Sequence, residues 1–89
     1  MLYIITFALT TRDYAARVGR FLETGGPPPA GATMAGRWIT LGHDRGFMLV
    51  ESDDPGSTFR WTSEWADLID FEVHPVLENA KVAEILGSM

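Results

Sequence analysis

Cysteine is missing altogether from the 89 residues, which excludes a disulfide framework, thiolate catalysis, iron–sulfur clusters and cysteine-type zinc sites. Positive charge is scarce as well. Seven Lys and Arg stand against twelve Asp and Glu, for a formal net charge of −5, and the cations are scattered. Nucleic acid and anionic membranes both call for clustered cations, so neither is expected as a partner. The two histidines and dispersed carboxylates show no ligand spacing for a metal, and neither histidine falls on a predicted helix. No glycine-rich loop opens a helix to cradle a phosphate, and no serine or threonine has a recognisable base partner. No metal and no cofactor is therefore expected. Long hydrophobic runs are absent too: Met1 to Leu9 is apolar but about half the ~20 residues that span a bilayer, and it lacks a basic leader and a cleavage site. It reads as a buried strand, and the expected location is the cytoplasm.

What is present is a strand and helix grammar used twice. Leu2 to Leu9 is rich in β-branched and aromatic residues and carries no charge, as a central strand covered on both faces would. Thr10 and Thr11 offer hydroxyl caps to a helix in which Tyr14, Val18, Phe21 and Leu22 share one face, while Arg12, Asp13, Arg17 and Arg20 fall away from it. Asp13 and Arg17, four apart, are spaced to pair. Gly25 and Gly26 stop that helix, and Pro27, Pro28 and Pro29 force an extended connection. Met34 to Leu41 forms the second strand. Leu41 to Gly46 has the glycine and polar content of a hairpin turn into a third strand, Phe47 to Glu51, which makes the two antiparallel neighbours. Arg37 and Glu51 on those neighbours are candidates for a cross-strand pair.

Asp53 or Asp54 then caps a second helix, with Pro55 near its first position, where a missing N–H costs nothing. Leu68, Trp61, Trp65, Ile69, Ala66 and Phe59 occupy one half of its wheel, and Arg60, Glu64, Asp67 and Ser63 the other. The apolar half is wider and more aromatic than one flat sheet demands, so part of it is expected to line a cavity or meet a second chain. The fourth strand, Phe71 to Leu77, puts Glu72 and His74 on one face and Phe71 and Val73 on the other, and Pro75 marks it as an edge. Glu78 to Leu86 is a closing amphipathic helix with a stripe of Val82, Ile85 and Leu86 and nothing obvious to pack on. A chain this short is one domain, residues 1–89, and buries only ~60–65% of its unfolded surface. A homodimer would supply further burial.

The order β-α-β-β-α-β with a terminal helix resembles the ferredoxin-like dimeric α+β barrel superfamily, whose members include monooxygenases and isomerases. A closer resemblance is to a small bacterial family, domain of unknown function family 3303. It rests on the opening Met1-Leu2-Tyr3-Ile4, on Ala35-Gly36-Arg37-Trp38, on Glu51-Ser52-Asp53-Asp54-Pro55, and most specifically on the block from Trp65 to Val76. What the resemblance implies is an α+β fold and a homodimer; it implies no reaction.

Two functional classes follow. The first is a binding module that holds a small apolar or aromatic molecule in an internal pocket, with Tyr3, Trp38, Phe59, Trp61 and Trp65 as the candidate walls. The second is a cofactor-independent enzyme, an oxygenase or isomerase, with His74 as base and Glu72 beside it on the same strand face. His43 and Asp44 fall in a turn, where an aspartate stabilises local backbone and a histidine is solvated. Core packing for the aromatics and a polar edge face for His74 are the plainer alternatives.

Overall fold

A computed structural model describes all residues, 1–89. The chain runs through β1 (Leu2–Ala8), α1 (Tyr14–Thr24), β2 (Ala32–Ile39), β3 (Arg45–Ser52), α2 (Pro55–Trp65), β4 (Asp70–Val76) and α3 (Asn79–Gly87). The four strands form one antiparallel sheet in the order β2-β3-β1-β4. Each helix therefore joins strands that are not neighbours: α1 carries the chain from β1 past the place of β3 to β2, and α2 carries it from β3 past β1 to β4. This is the ferredoxin-like α+β arrangement. Right-handed crossovers put both helices on the same side of the sheet.

Register explains which side chains meet those helices. Ile5 pairs with Met48 on one side and Val73 on the other, and Phe7 with Gly46 and Phe71. Alternation then sends Tyr3, Ile5 and Phe7 of β1 and Met48 and Val50 of β3 to the helix side. There they form the core with Trp61. Leu2, Ile4, Thr6, Phe47, Leu49, Glu72 and His74 point the other way, away from both crossover helices. Ile4 and Phe47 are 40% and 38% exposed on that face. The first strand is thus covered on one face, not on both, because both crossovers share a side.

The second strand starts earlier than its composition suggests and contains a bulge between Met34 and Gly36. Beyond the bulge Arg37 pairs with Met48 and Trp38 with Phe47. The extra residue reverses the alternation, turning Arg37 towards the helices and Trp38 onto the open face.

Helix boundaries follow their local chemistry. At the start of α1, Asp13 is the N-cap residue but makes no side-chain cap bond, and the hydroxyls of Thr10 and Thr11 make none either. The helix ends as expected at Gly25, in the left-handed region at φ 75°, whose N–H reaches the Phe21 carbonyl at 2.7 Å. Asp54 caps α2 by accepting from the Gly56 N–H at 2.9 Å, with Pro55 in the first turn. Two expected ion pairs do not form. The Arg37 guanidinium bonds to the carbonyls of Gly26 and Gly25 at 2.7 and 2.9 Å, while Glu51 meets the Met1 amine. Arg17 reaches Tyr14, its guanidinium carbon 5.9 Å from the ring centre, in place of Asp13.

The last helix, α3, buries none of its residues. The radius of gyration of 14.9 Å exceeds the roughly 12 Å of a compact domain of this length. No helix is long and apolar enough to cross a membrane.

Candidate functional site: the cavity between sheet and helices

A cavity of about 400 Å³ opens between the helix side of the sheet and the two crossover helices. Its floor is Phe7, Met48 and Phe71, with Arg37 and Ile39 from β2. Phe7 lies flat across the backbone of Gly46, its pairing partner, and a Cβ at that position would overlap the ring. The roof comes from α1 through Tyr14, Arg17, Val18 and Phe21, and from α2 through Trp61, Thr62 and Trp65. Leu9, His43 and Ile69 close the ends. No carboxylate borders the space.

The cavity exists because α1 does not press its whole inward stripe into the sheet. Tyr14, Arg17, Val18 and Phe21 are spaced i, i+3, i+4, i+7 and share a face, yet Tyr14 and Phe21 remain nearly half exposed while Arg17 is buried. A long cation, Arg17, stands at the centre of the stripe and borders the cavity. Leu22, one step round, is 76% exposed. Against the sequence reading, Arg17 is thus inside the stripe and Leu22 outside it.

The cationic groups around the cavity differ in how well they are satisfied. Arg37 donates to the two carbonyls at the end of α1, where the helix dipole favours a cation, and its guanidinium carbon lies 5.1 Å from the Phe21 ring centre. Burial pushes its pKa down from the ordinary arginine value. Arg20, at the rim, is paired with Asp67. Arg17 is only 7% exposed, forms no ion pair, and its Nη1 is buried without a hydrogen-bond partner.

His43 occupies the hairpin turn at φ 61°, a left-handed conformation that histidine tolerates better than most side chains. Thr40 braces the turn by donating its hydroxyl to Asp44 Oδ1 at 2.7 Å, and that bond holds the Asp44 carboxyl below the usual range. The turn is pinned to β1 by the Leu9 N–H donating to the Asp44 carbonyl at 3.0 Å. The His43 ring thereby stands 6.2 Å from the Tyr14 ring, centre to centre, at one end of the cavity.

Of the aromatic residues expected as walls, Trp61 and Trp65 border the cavity. Trp61 is buried and Trp65 half-buried, since α2 ends at Trp65 and the wheel does not continue through Ala66 to Ile69. Tyr3 lies in the core beneath. Trp38 stands on the open sheet face, turned there by the bulge. Phe59 is 75% exposed, because the inward stripe of α2 is Thr58, Trp61, Thr62 and Trp65, and Phe59 is about 100° out of phase with its centre. His74 and Glu72 are together, Nε2 to Oε2 at 3.3 Å, but on the open face and not in the cavity. No three His, Cys, Asp or Glu side chains converge as a metal would require.

Sequence reasoning missed Arg17, Arg37 and His43. The i, i+3, i+4, i+7 spacing through Tyr14 and Phe21 was a signal for Arg17. Gly36 inside a strand was a signal for the bulge that turns Arg37 inward. The place of His43 depends on where the hairpin lands against α1, for which the sequence carries no local signal.

The family described as Domain of unknown function (DUF3303) matches residues 1–89, the whole chain, and the chain belongs to that family. No curated protein matches it.

Proposed function

We propose that this member of the DUF3303 family is a binding module that holds a small apolar or aromatic molecule in the cavity between sheet and helices. The observation that carries the reading is the cavity itself. Its volume falls within the range of small-molecule sites, and its walls are mainly apolar with a few convergent polar groups, as in such sites generally. Trp61, Trp65, Phe7 and Phe71 supply flat surfaces on several sides. Tyr14, Thr62 and His43 supply groups that orient a polar substituent.

A homodimer of the dimeric α+β barrel kind is part of the proposal. The uncovered face carries Ile4, Phe47, Leu49 and Trp38 beside the polar Thr6, Glu72 and His74, and Ile85 and Leu86 of α3 are exposed. A second copy placed face to face would cover both. The absence of cysteine suits a reducing compartment, and the cytoplasm belongs to the same reading.

A second reading, a cofactor-independent oxygenase or isomerase with His74 as base, is favoured by one observation, the contact between His74 and Glu72. Because that pair faces away from the cavity, such a site would form between two subunits. The test is calorimetric titration with 2-naphthalenemethanol, a neutral probe, on the wild type and on Val18→Phe, which fills the cavity. Saturable binding lost in Val18→Phe supports the module, and binding untouched by Val18→Phe contradicts it.

A further inference from the structure

We propose that the occupant of the cavity is an organic anion, a carboxylate carried on a flat aromatic or apolar body, and that Arg17 is the residue that selects it. The inference rests on the binding reading above and adds the chemical class of the ligand.

Arg17 is the one cation of the cavity wall with neither an ion pair nor a hydrogen bond; its guanidinium meets only the Tyr14 ring, 5.9 Å from its centre. A guanidinium keeps its proton at any physiological pH, so burial cannot neutralise it. A buried charge without a partner is costly, and folds supply such charges with an ion pair or a ligand. Here the chain supplies neither: Arg17 Nη1 has no hydrogen-bond partner and no acid is paired with it. Arg37, the other arginine of the wall, is bound to the carbonyls of Gly25 and Gly26. The chain as a whole carries a net charge of −5, so the positive character of the cavity is local and not part of a general attraction for anions.

The geometry around Arg17 narrows the ligand further. A guanidinium presents a planar fork of donors that matches the two oxygens of a carboxylate. The Tyr14 ring beside it and Phe7, Trp61, Trp65 and Phe71 beyond it form the surroundings of a flat hydrocarbon body. The carboxylate-free wall leaves nothing to repel the anion. With Arg37 spent on the Gly25 and Gly26 carbonyls, one unpaired cation beside mainly apolar walls favours a single negative charge over a polyanion such as a nucleotide.

The experiment compares 2-naphthoate with 2-naphthalenemethanol, which differs in charge but little in shape, by calorimetry on the wild type, Arg17→Met and Arg17→Lys. The expected result is that the wild type prefers the acid by roughly 10- to 100-fold, the range of one hydrogen-bonded charge contact. Arg17→Met should lose that preference while keeping the alcohol, and Arg17→Lys should retain part of it. The ligand-free Arg17→Met protein should also unfold at a higher temperature, since it no longer buries an unpaired charge; a lower unfolding temperature would contradict the unpaired state. Equal affinity of the wild type for acid and alcohol overturns this inference and leaves the binding module standing. Failure of both compounds to bind overturns the two together.

Discussion

Arg20 and Asp67 are joined by two parallel hydrogen bonds, Nη1 to Oδ1 at 2.9 Å and Nη2 to Oδ2 at 2.7 Å, and Arg20 Nη1 also reaches the Glu64 carbonyl at 3.1 Å. The Arg20 guanidinium carbon lies 5.2 Å from the Trp65 ring centre as well. One side chain of α1 is therefore tied to the last turn of α2 and to the loop after it, at the rim of the cavity. Bidentate geometry fixes orientation as well as distance. The two roof helices are held as a pair although neither fills the space beneath them.

The Arg20–Asp67 pair should make stability depend on acid pH. The hydrogen bond from Arg20 is the largest cause holding the Asp67 carboxyl below its ordinary value. A carboxyl depressed in the folded state contributes stability above its unfolded pKa, near 4, and that contribution is lost as pH falls through the lower folded pKa. Asp67→Asn is expected to unfold at lower urea than wild type at pH 7, with the gap closing progressively below about pH 4. The effect should be small, because the pair is exposed to solvent and salt. A gap that stays constant down to pH 2 would contradict the assignment.

The two tryptophans of α2 should separate in stability. Trp61 is 5% exposed and part of the core, whereas Trp65 is half-buried against the cavity. Trp61→Ala should cost roughly 3–5 kcal/mol, as a large-to-small core change does. Trp65→Ala should cost less, since part of its surface already meets open space. Urea midpoints of the two variants check the order, and a costlier Trp65→Ala would mean the cavity is filled by packing.

The open sheet face should make the protein a dimer. Sedimentation equilibrium at micromolar concentration should give twice the chain mass for the wild type and one chain mass for Ile4→Glu, which places a charge at the centre of that face. A monomeric wild type would contradict the homodimer.

Much of the fold was legible from residues, and the losses have identifiable causes. The element order, the Asp54 cap with Pro55, the Gly25 stop, the hairpin between the second and third strands and the edge placement of the strand bearing Pro75 all follow from local chemistry that acts within a few residues. The site was less legible. Its walls depend on helix phase, and a phase chosen by apolar content put Phe59 and Leu22 inside and Arg17 outside. One bulge near Gly36 exchanged the faces of Arg37 and Trp38. Whether strand β1 is covered on one face or two depends on both crossovers lying on one side, a property of the whole chain. An arginine in an apolar stripe reads as an interruption of the helix pattern until the structure shows it bordering a cavity without a partner.

The most direct test of the central claim is a set of intermolecular nuclear Overhauser effects between 2-naphthoate and the methyl groups of the protein. Contacts to Val18, Met48 and Ile69, which border the cavity, are the predicted result. Contacts confined to Ile4 and Leu49 on the open sheet face, or none at saturating probe, would contradict it.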